Sequence, residues 1–191
     1  MKTRNKVILG GLAAGTVAAG AAVGLGAAFA GRLLFEQVRQ WRSQGWEPFS
    51  FSGEDLRGQT VLITGSSRGL GLAMAEEFAR HGCKLVLCAR DEQKLSRARD
   101  QVSRHGGEVR TFACDVANQQ EVETAIAGAR REFGRIDVLV NNAGVISVGP
   151  ILTQTIDDFK EAMDVMFWGT VYPTLAVLPE MVNRGTGRIV N

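Results

Sequence analysis

The sequence predicts an α/β protein built on a doubly wound, mostly parallel sheet. Three observations carry this. From Gln59 onward, short apolar runs of strand length alternate with amphipathic runs of helical length. The first strand-to-helix junction holds a glycine cluster, Thr64-Gly65-Ser66-Ser67-Arg68-Gly69-Leu70-Gly71. The helical runs stop at glycines: Gly82, Gly106-Gly107 and Gly134. Apolar strands separated by helices imply a parallel sheet with helices on both faces.

The elements follow in order. Thr60 to Ile63 reads as a strand and Gly69 to His81 as a helix. Lys84 to Cys88 is a second strand, and Glu92 to Arg104 a charged helix. Glu108 to Ala113 is the third strand, Gln119 to Phe133 the next helix, and Ile136 to Val140 the fourth strand. Thr155 and Asp158 have the spacing of a capping box, and a long helix runs from there through Met166, Trp168 and Leu175 to about Met181. Pro173 and Pro179 bend or divide that helix. Gly185-Thr186-Gly187 is a turn, and Arg188 to Asn191 begins a fifth strand, so the sheet reads as incomplete at its C-terminal side.

At the glycine cluster a strand ends and a helix begins, which turns unpaired N–H groups and the positive helix end toward a phosphate. Gly65 lets the chain turn off the strand, Gly69 lets backbone approach a pyrophosphate, and Gly71 lets the helix pack close to the sheet. The spacing is G-x-x-x-G-x-G.

The net charge of +2 and the lack of a long basic run after Lys6 argue against a nucleic-acid partner. Cys83, Cys88 and Cys114 form no C-x-x-C pair and read as buried reduced thiols. His81 and His105 have no ligand spacing, so no metal site is expected. Residues 1–31 differ from the rest. No charge falls between Val7 and Ala30, a run that as a helix spans roughly 36 Å at about 1.5 Å per residue. Lys2, Arg4 and Lys6 before it nearly balance Arg32, Arg39 and Arg42 after it, so orientation is not fixed. An uncleaved N-terminal hydrophobic membrane anchor is the preferred reading. A cleaved signal ending at Ala28-Phe29-Ala30 is the alternative. Small residues four apart, Gly11, Gly15 and Ala19 on one face and Gly20, Gly24 and Ala28 on another, suit self-association as a homodimer. Residues 32–55 read as an amphipathic helix carrying Leu33, Leu34, Val38 and Trp41, followed by a linker. The nucleotide-binding domain is 56–191.

From about Leu56 to Asn191 the sequence resembles the classical short-chain dehydrogenase/reductase family. The resemblance rests on TGSSRGLG at 64–71, Cys114-Asp115-Val116, Asn141-Asn142-Ala143-Gly144, Leu178-Pro179-Glu180-Met181 and Gly187-Arg188-Ile189-Val190-Asn191, in that order. It implies a Rossmann-type sheet that binds NAD or NADP at the carboxyl ends of its strands. It also implies cofactor contacts from Gly65 to Gly71 and from Asn141, Asn142, Ala143 and Gly144. Asp115 resembles the residue that meets the adenine, with Val116 beside it; Asp115 as a helix-capping residue is the alternative.

In NAD-using relatives an acidic residue follows the second strand; here Ala89 and Arg90 stand there. With Arg68 in the glycine loop, two guanidinium groups and no carboxylate at that place suit a 2′-phosphate, so the expected cofactor is NADP(H). The family's catalytic Ser and Tyr-x-x-x-Lys would lie beyond Asn191, so none of the catalytic residues is assigned in this chain, which is expected to be inactive alone. Tyr172 has Ala176 four residues on and is not a candidate. Met166 stands where the family carries an asparagine, a departure that puts its proton relay in doubt. The resemblance thus implies a membrane-anchored NADP-dependent oxidoreductase with its nucleotide-binding domain in the cytoplasm. It would move a hydride between nicotinamide and a carbonyl or alcohol substrate, and an anchor beside the domain suits a lipophilic one. The alternative is a non-catalytic, membrane-tethered NADP(H)-binding protein.

Overall fold

The computed structural model describes residues 56–146 and 148–191. The expected anchor at 7–30 and the amphipathic helix and linker at 32–55 lie outside the described residues.

Five parallel strands, β1 (Thr60–Thr64), β2 (Lys84–Ala89), β3 (Val109–Ala113), β4 (Val138–Val140) and β5 (Arg188–Val190), form one sheet in the order β3-β2-β1-β4-β5. The chain builds outward to β3, then returns past β1 to place β4 on its other side. β1 and β4 therefore flank the point where the winding reverses, and a crevice opens there at the carboxyl ends of the strands.

Side chains alternate across the strands, and the two faces bury different helices. Val61, Ile63, Leu85, Leu87, Val138 and Val140 pack on one face with Ala75 and Ala79 of α1 (Gly69–Arg80) and Leu95, Ala98 and Val102 of α2 (Glu92–Ser103). Leu62, Val86, Cys88 and Leu139 pack on the other with Val122, Ala125, Ile126 and Ala129 of α3 (Gln119–Phe133) and Val177 and Met181 of α5 (Gly169–Arg184). This is the doubly wound, Rossmann-type arrangement.

Two stretches depart from the sequence expectation. β4 begins at Val138, and at its start the Asp137 carboxylate accepts from the Thr60 N–H at 3.0 Å and pairs with Arg135 at 2.9 Å. The long helix has three parts: α4 (Ile156–Met163), a π-helical turn (Asp164–Trp168) and α5. The wide turn ends at Gly169, four residues before Pro173, which has no N–H to return to the Gly169 carbonyl. A Cβ at Gly169 would lie 2.7 Å from the Val116 side chain, so the helix approaches the loop after β3 closely. Among the described residues, the run Ile156–Arg184 has the length and apolarity to cross a membrane. Its Val177 and Met181 are buried beside α3, while Leu175, Leu178 and Val182 are exposed.

Candidate dinucleotide-binding site

The glycine turn after β1 and the stretch after β4 are knitted into one wall of the crevice. Thr64, buried at the end of β1, accepts from the backbone N–H groups of Asn142 and Ala143, each at 3.0 Å. The Asn142 side-chain amide donates back to the carbonyls of Thr64 and Gly65 at 2.9 and 3.3 Å. Gly65 turns at φ +65°, and a Cβ on it would meet Ala143 Cα at 2.8 Å. Ser66 is fully buried. Its hydroxyl accepts from the Cys88 N–H at 3.0 Å and donates to the Cys88 carbonyl at 3.4 Å, bracing the turn against β2. Asn141 reaches the other way, its side-chain amide donating to Thr174 at 3.1 Å and Asn191 at 2.7 Å, with its side-chain oxygen Oδ1 buried and without a hydrogen-bond partner.

The N-terminus of α1 is left open. Arg68 stands at its cap in extended conformation and makes no side-chain capping bond, and the first turn holds no acidic residue. By contrast Asp91 caps α2, Asn118 caps α3, and Thr155 with Asp158 forms a capping box on α4. Gly69 takes φ +58°, and no atom lies within 4 Å of where its Cβ would be. Open N–H groups, a positive helix end and free space beside a glycine fit the diphosphate of a dinucleotide. Ser67 is half-buried, and Leu70 is exposed.

The adenosine end of the crevice is set by the pairing of β2 with β3, which lies Ala89 beside Ala113. That register brings Arg90 within 3.9 Å of Asp115, a pair 25 positions apart in the chain with no local signal to announce it. Asp115 also accepts from Ala117 N–H at 3.0 Å, and its own N–H donates to Glu121 at 2.8 Å. Asn118, rather than Asp115, caps α3. Val116 is buried against the Gly169 backbone. The sequence expectation of no carboxylate near the arginines needs correction here, because Asp115 faces Arg90. The carboxylate of Asp91, next in the chain, is turned into its helix and held below the ordinary range, chiefly by hydrogen bonds from Lys94.

Tyr172 stacks on Trp168 with ring centroids 5.4 Å apart, and both line the groove between α3 and α5. Met166 lies in the π turn with its carbonyl accepting from the Thr170 hydroxyl at 2.9 Å. Among the described residues no group of His, Cys, Asp and Glu has the arrangement to hold a metal ion.

The fold and the crevice define an α/β dinucleotide-binding protein of the Rossmann type. Residues 59–191 match the family model described as short chain dehydrogenase, and the chain belongs to that family. It is 40% identical over 135 residues to the oxidoreductase UcpA of Salmonella typhimurium (strain LT2), covering 71% of this chain and 51% of UcpA. Of solved structures, NAD+-bound xylitol dehydrogenase superposes with a TM-score of 0.69 at 32% identity, over 71% of this chain and 53% of that one. A metagenomic short-chain oxidoreductase in complex with NADP gives 0.66 at 34% identity, over 70% and 61%. The chain spans about half the length of the curated relatives it matches.

Proposed function

We propose that this chain supplies the cofactor-binding part of an NADP(H)-dependent oxidoreductase that moves a hydride between nicotinamide and a carbonyl or alcohol carbon. The observation that carries the reading is the uncapped N-terminus of α1, opening onto a crevice one wall of which is made by 64–71 and 141–144 bonded to each other. The bound nicotinamide supplies the hydride chemistry. The chain's own part is to bind and orient it. N–H groups at the start of α1 take the diphosphate, and the small residues Ala143 and Gly144 leave room for a ribose.

The preference for the phosphorylated cofactor rests on Arg68 and Arg90. Arg68 is exposed at the mouth of the glycine turn, and Arg90 is exposed at the end of β2 with Asp115 as its partner. A guanidinium meets a phosphate with paired charge-assisted hydrogen bonds, and Asp115 remains free to accept from the adenine amine. The anchor reading of residues 7–30 belongs to the same proposal and ties the domain to a membrane from its cytoplasmic side.

The experiment is a fluorescence titration of the full chain with NADPH and NADH. The reading expects saturable binding of NADPH about tenfold or more tighter than NADH, the scale of one charged hydrogen bond. Binding of neither overturns it, and equal binding removes the preference for the phosphorylated form.

A further inference from the structure

Two helices of the domain begin with a polar residue followed three positions later by a carboxylate, and the two pairs are wired differently. On α4 the pair closes on itself: Asp158 accepts from the Thr155 N–H at 2.7 Å, and the Thr155 hydroxyl accepts from the Asp158 N–H at 3.3 Å. On α3 the Asn118 side chain caps in the usual way, accepting from the N–H groups of Gln120 and Glu121 at 3.0 and 3.4 Å. Glu121 does not return to the Asn118 N–H, which already donates to the Asp115 carbonyl at 3.0 Å. Its carboxylate reaches past the cap instead. One oxygen accepts from the Asp115 N–H and the other from the Asn118 side-chain amide, each at 2.8 Å.

This wiring closes the loop from Asp115 to Asn118 and divides the polar groups of Asp115. Its N–H is held by Glu121, its carbonyl by Asn118, and its Oδ1 by the Ala117 N–H at 3.0 Å. Oδ2 is left on the side of Arg90, 3.9 Å away and beyond hydrogen-bond length. Val116 anchors the loop from within, buried against Gly169. Two carboxylates on one short loop repel each other, and the cap on α3 is already supplied by Asn118. The two N–H partners of Glu121 offset that repulsion and fix its place.

We propose that Glu121 is a positioning residue for the adenine end of the cofactor site. By holding the Asp115 N–H and the Asn118 amide together, it aims Asp115 Oδ2 at the exocyclic amine of the adenine. It acts through Asp115 and touches no reacting atom. The inference rests on the dinucleotide-binding reading and adds to it the group that orients the adenine contact.

The test is calorimetric titration of the full chain with NADPH and with its hypoxanthine analogue, which carries an oxygen in place of the amine. The parent chain should prefer NADPH by about fivefold or more, the scale of one hydrogen bond to a charged group. Glu121→Ala should weaken NADPH by about fivefold and bring the two ligands within about twofold of each other. Glu121→Gln keeps an acceptor for one of the two donors and should fall between. Asn118→Asp combined with Glu121→Gln restores both contacts with donor and acceptor exchanged and leaves the net charge as it was, so the preference should return. Glu123→Ala, whose carboxylate accepts from the Gln119 amide at 2.8 Å on the same helix, should change neither ligand. An unchanged preference in Glu121→Ala, even with a lower urea midpoint, overturns the proposal and makes Glu121 a support of the helix alone. So does tighter NADPH binding in Glu121→Gln, which would assign the effect to charge, or a double variant that recovers nothing. No preference in the parent chain removes the contact of Asp115 with the amine, and this inference with it, while cofactor binding stands. Failure of NADPH itself to bind overturns the cofactor reading.

Discussion

Gly71 and Asn142 leave no room for a methyl group between them: a Cβ at position 71 would lie 2.5 Å from the Asn142 side-chain nitrogen and 2.6 Å from the Gly65 carbonyl. The same nitrogen donates to Thr64 and Gly65, so it has no freedom to retreat without giving up those bonds. Gly71→Ala should therefore destabilise the domain by about 1–3 kcal/mol, the usual cost of overpacking. It should also weaken NADPH binding, because the first turn of α1 must shift. Urea denaturation and the cofactor titration measure the two effects separately.

Thr64 makes the complementary connection. Its hydroxyl oxygen accepts from two backbone N–H groups, of Asn142 and Ala143, in a buried place at the end of β1. Thr64→Val keeps the shape and leaves both donors without a partner, at about 1–3 kcal/mol for each. Thr64→Ser keeps the oxygen and should recover most of that loss. Denaturation midpoints of the two variants, taken side by side, separate the hydrogen bonds from the methyl group. Equal losses in both would assign the effect to packing instead.

The order of strands and helices was legible in the sequence because each buried strand is a short apolar run and each helix carries its own start or stop signal. Asn118, Thr155 and Gly134 are examples, standing at helix ends as their residue types suggest. The π turn was not legible. It depends on the fit of Gly169 against Val116 and on Pro173 downstream, which are tertiary and backbone facts. The glycine cluster and Asn141 to Gly144 announced themselves by residue type. Their union through Thr64 did not, since a threonine at a strand end is ordinary and its partners lie 78 and 79 positions away. The ion pair of Arg90 with Asp115 was hidden for the same reason: only the β2–β3 register makes them neighbours.

The three cysteines give a pH dependence with a definite sign. Burial pushes the Cys83 thiol from its ordinary 9.0 up to about 11, and burial with the nearby Glu121 and Asp115 charges pushes Cys114 up to about 12. Burial raises Cys88 as well. An acid whose folded pKa is raised gives stability that is fully present below its unfolded pKa and is lost as pH rises through the folded value. The urea midpoint should therefore hold steady to about pH 8.5 and fall between the unfolded and folded thiol pKa values, 9.0 and about 11 for Cys83. Other groups titrate there too, so the decisive quantity is a difference. Cys83→Ala should cost stability at neutral pH, where its Sγ–H donates to the Leu56 carbonyl at 3.3 Å, and the cost should shrink as pH rises past 9.0. A cost independent of pH would remove the thiol from the account.

Arg90 lies 3.9 Å from Asp115, and both side chains are substantially exposed. Exposed pairs of this kind contribute roughly 0–1 kcal/mol to stability, so Arg90→Ala should leave the denaturation midpoint almost unchanged. Its effect on the cofactor should be unequal. If Arg90 meets the 2′-phosphate, NADPH should lose about tenfold in affinity, within the range of one hydrogen bond to a charged group, while NADH holds within about twofold. Asp115→Asn separates the roles further. It removes the charge that competes for Arg90 and keeps an acceptor for the adenine amine, so NADPH should bind at least as well as before. Loss of both cofactors to the same extent in Arg90→Ala would mean that the arginine supports the adenine site as a whole. The selectivity would then have to come from Arg68, and Arg68→Ala in the same titration reads that directly.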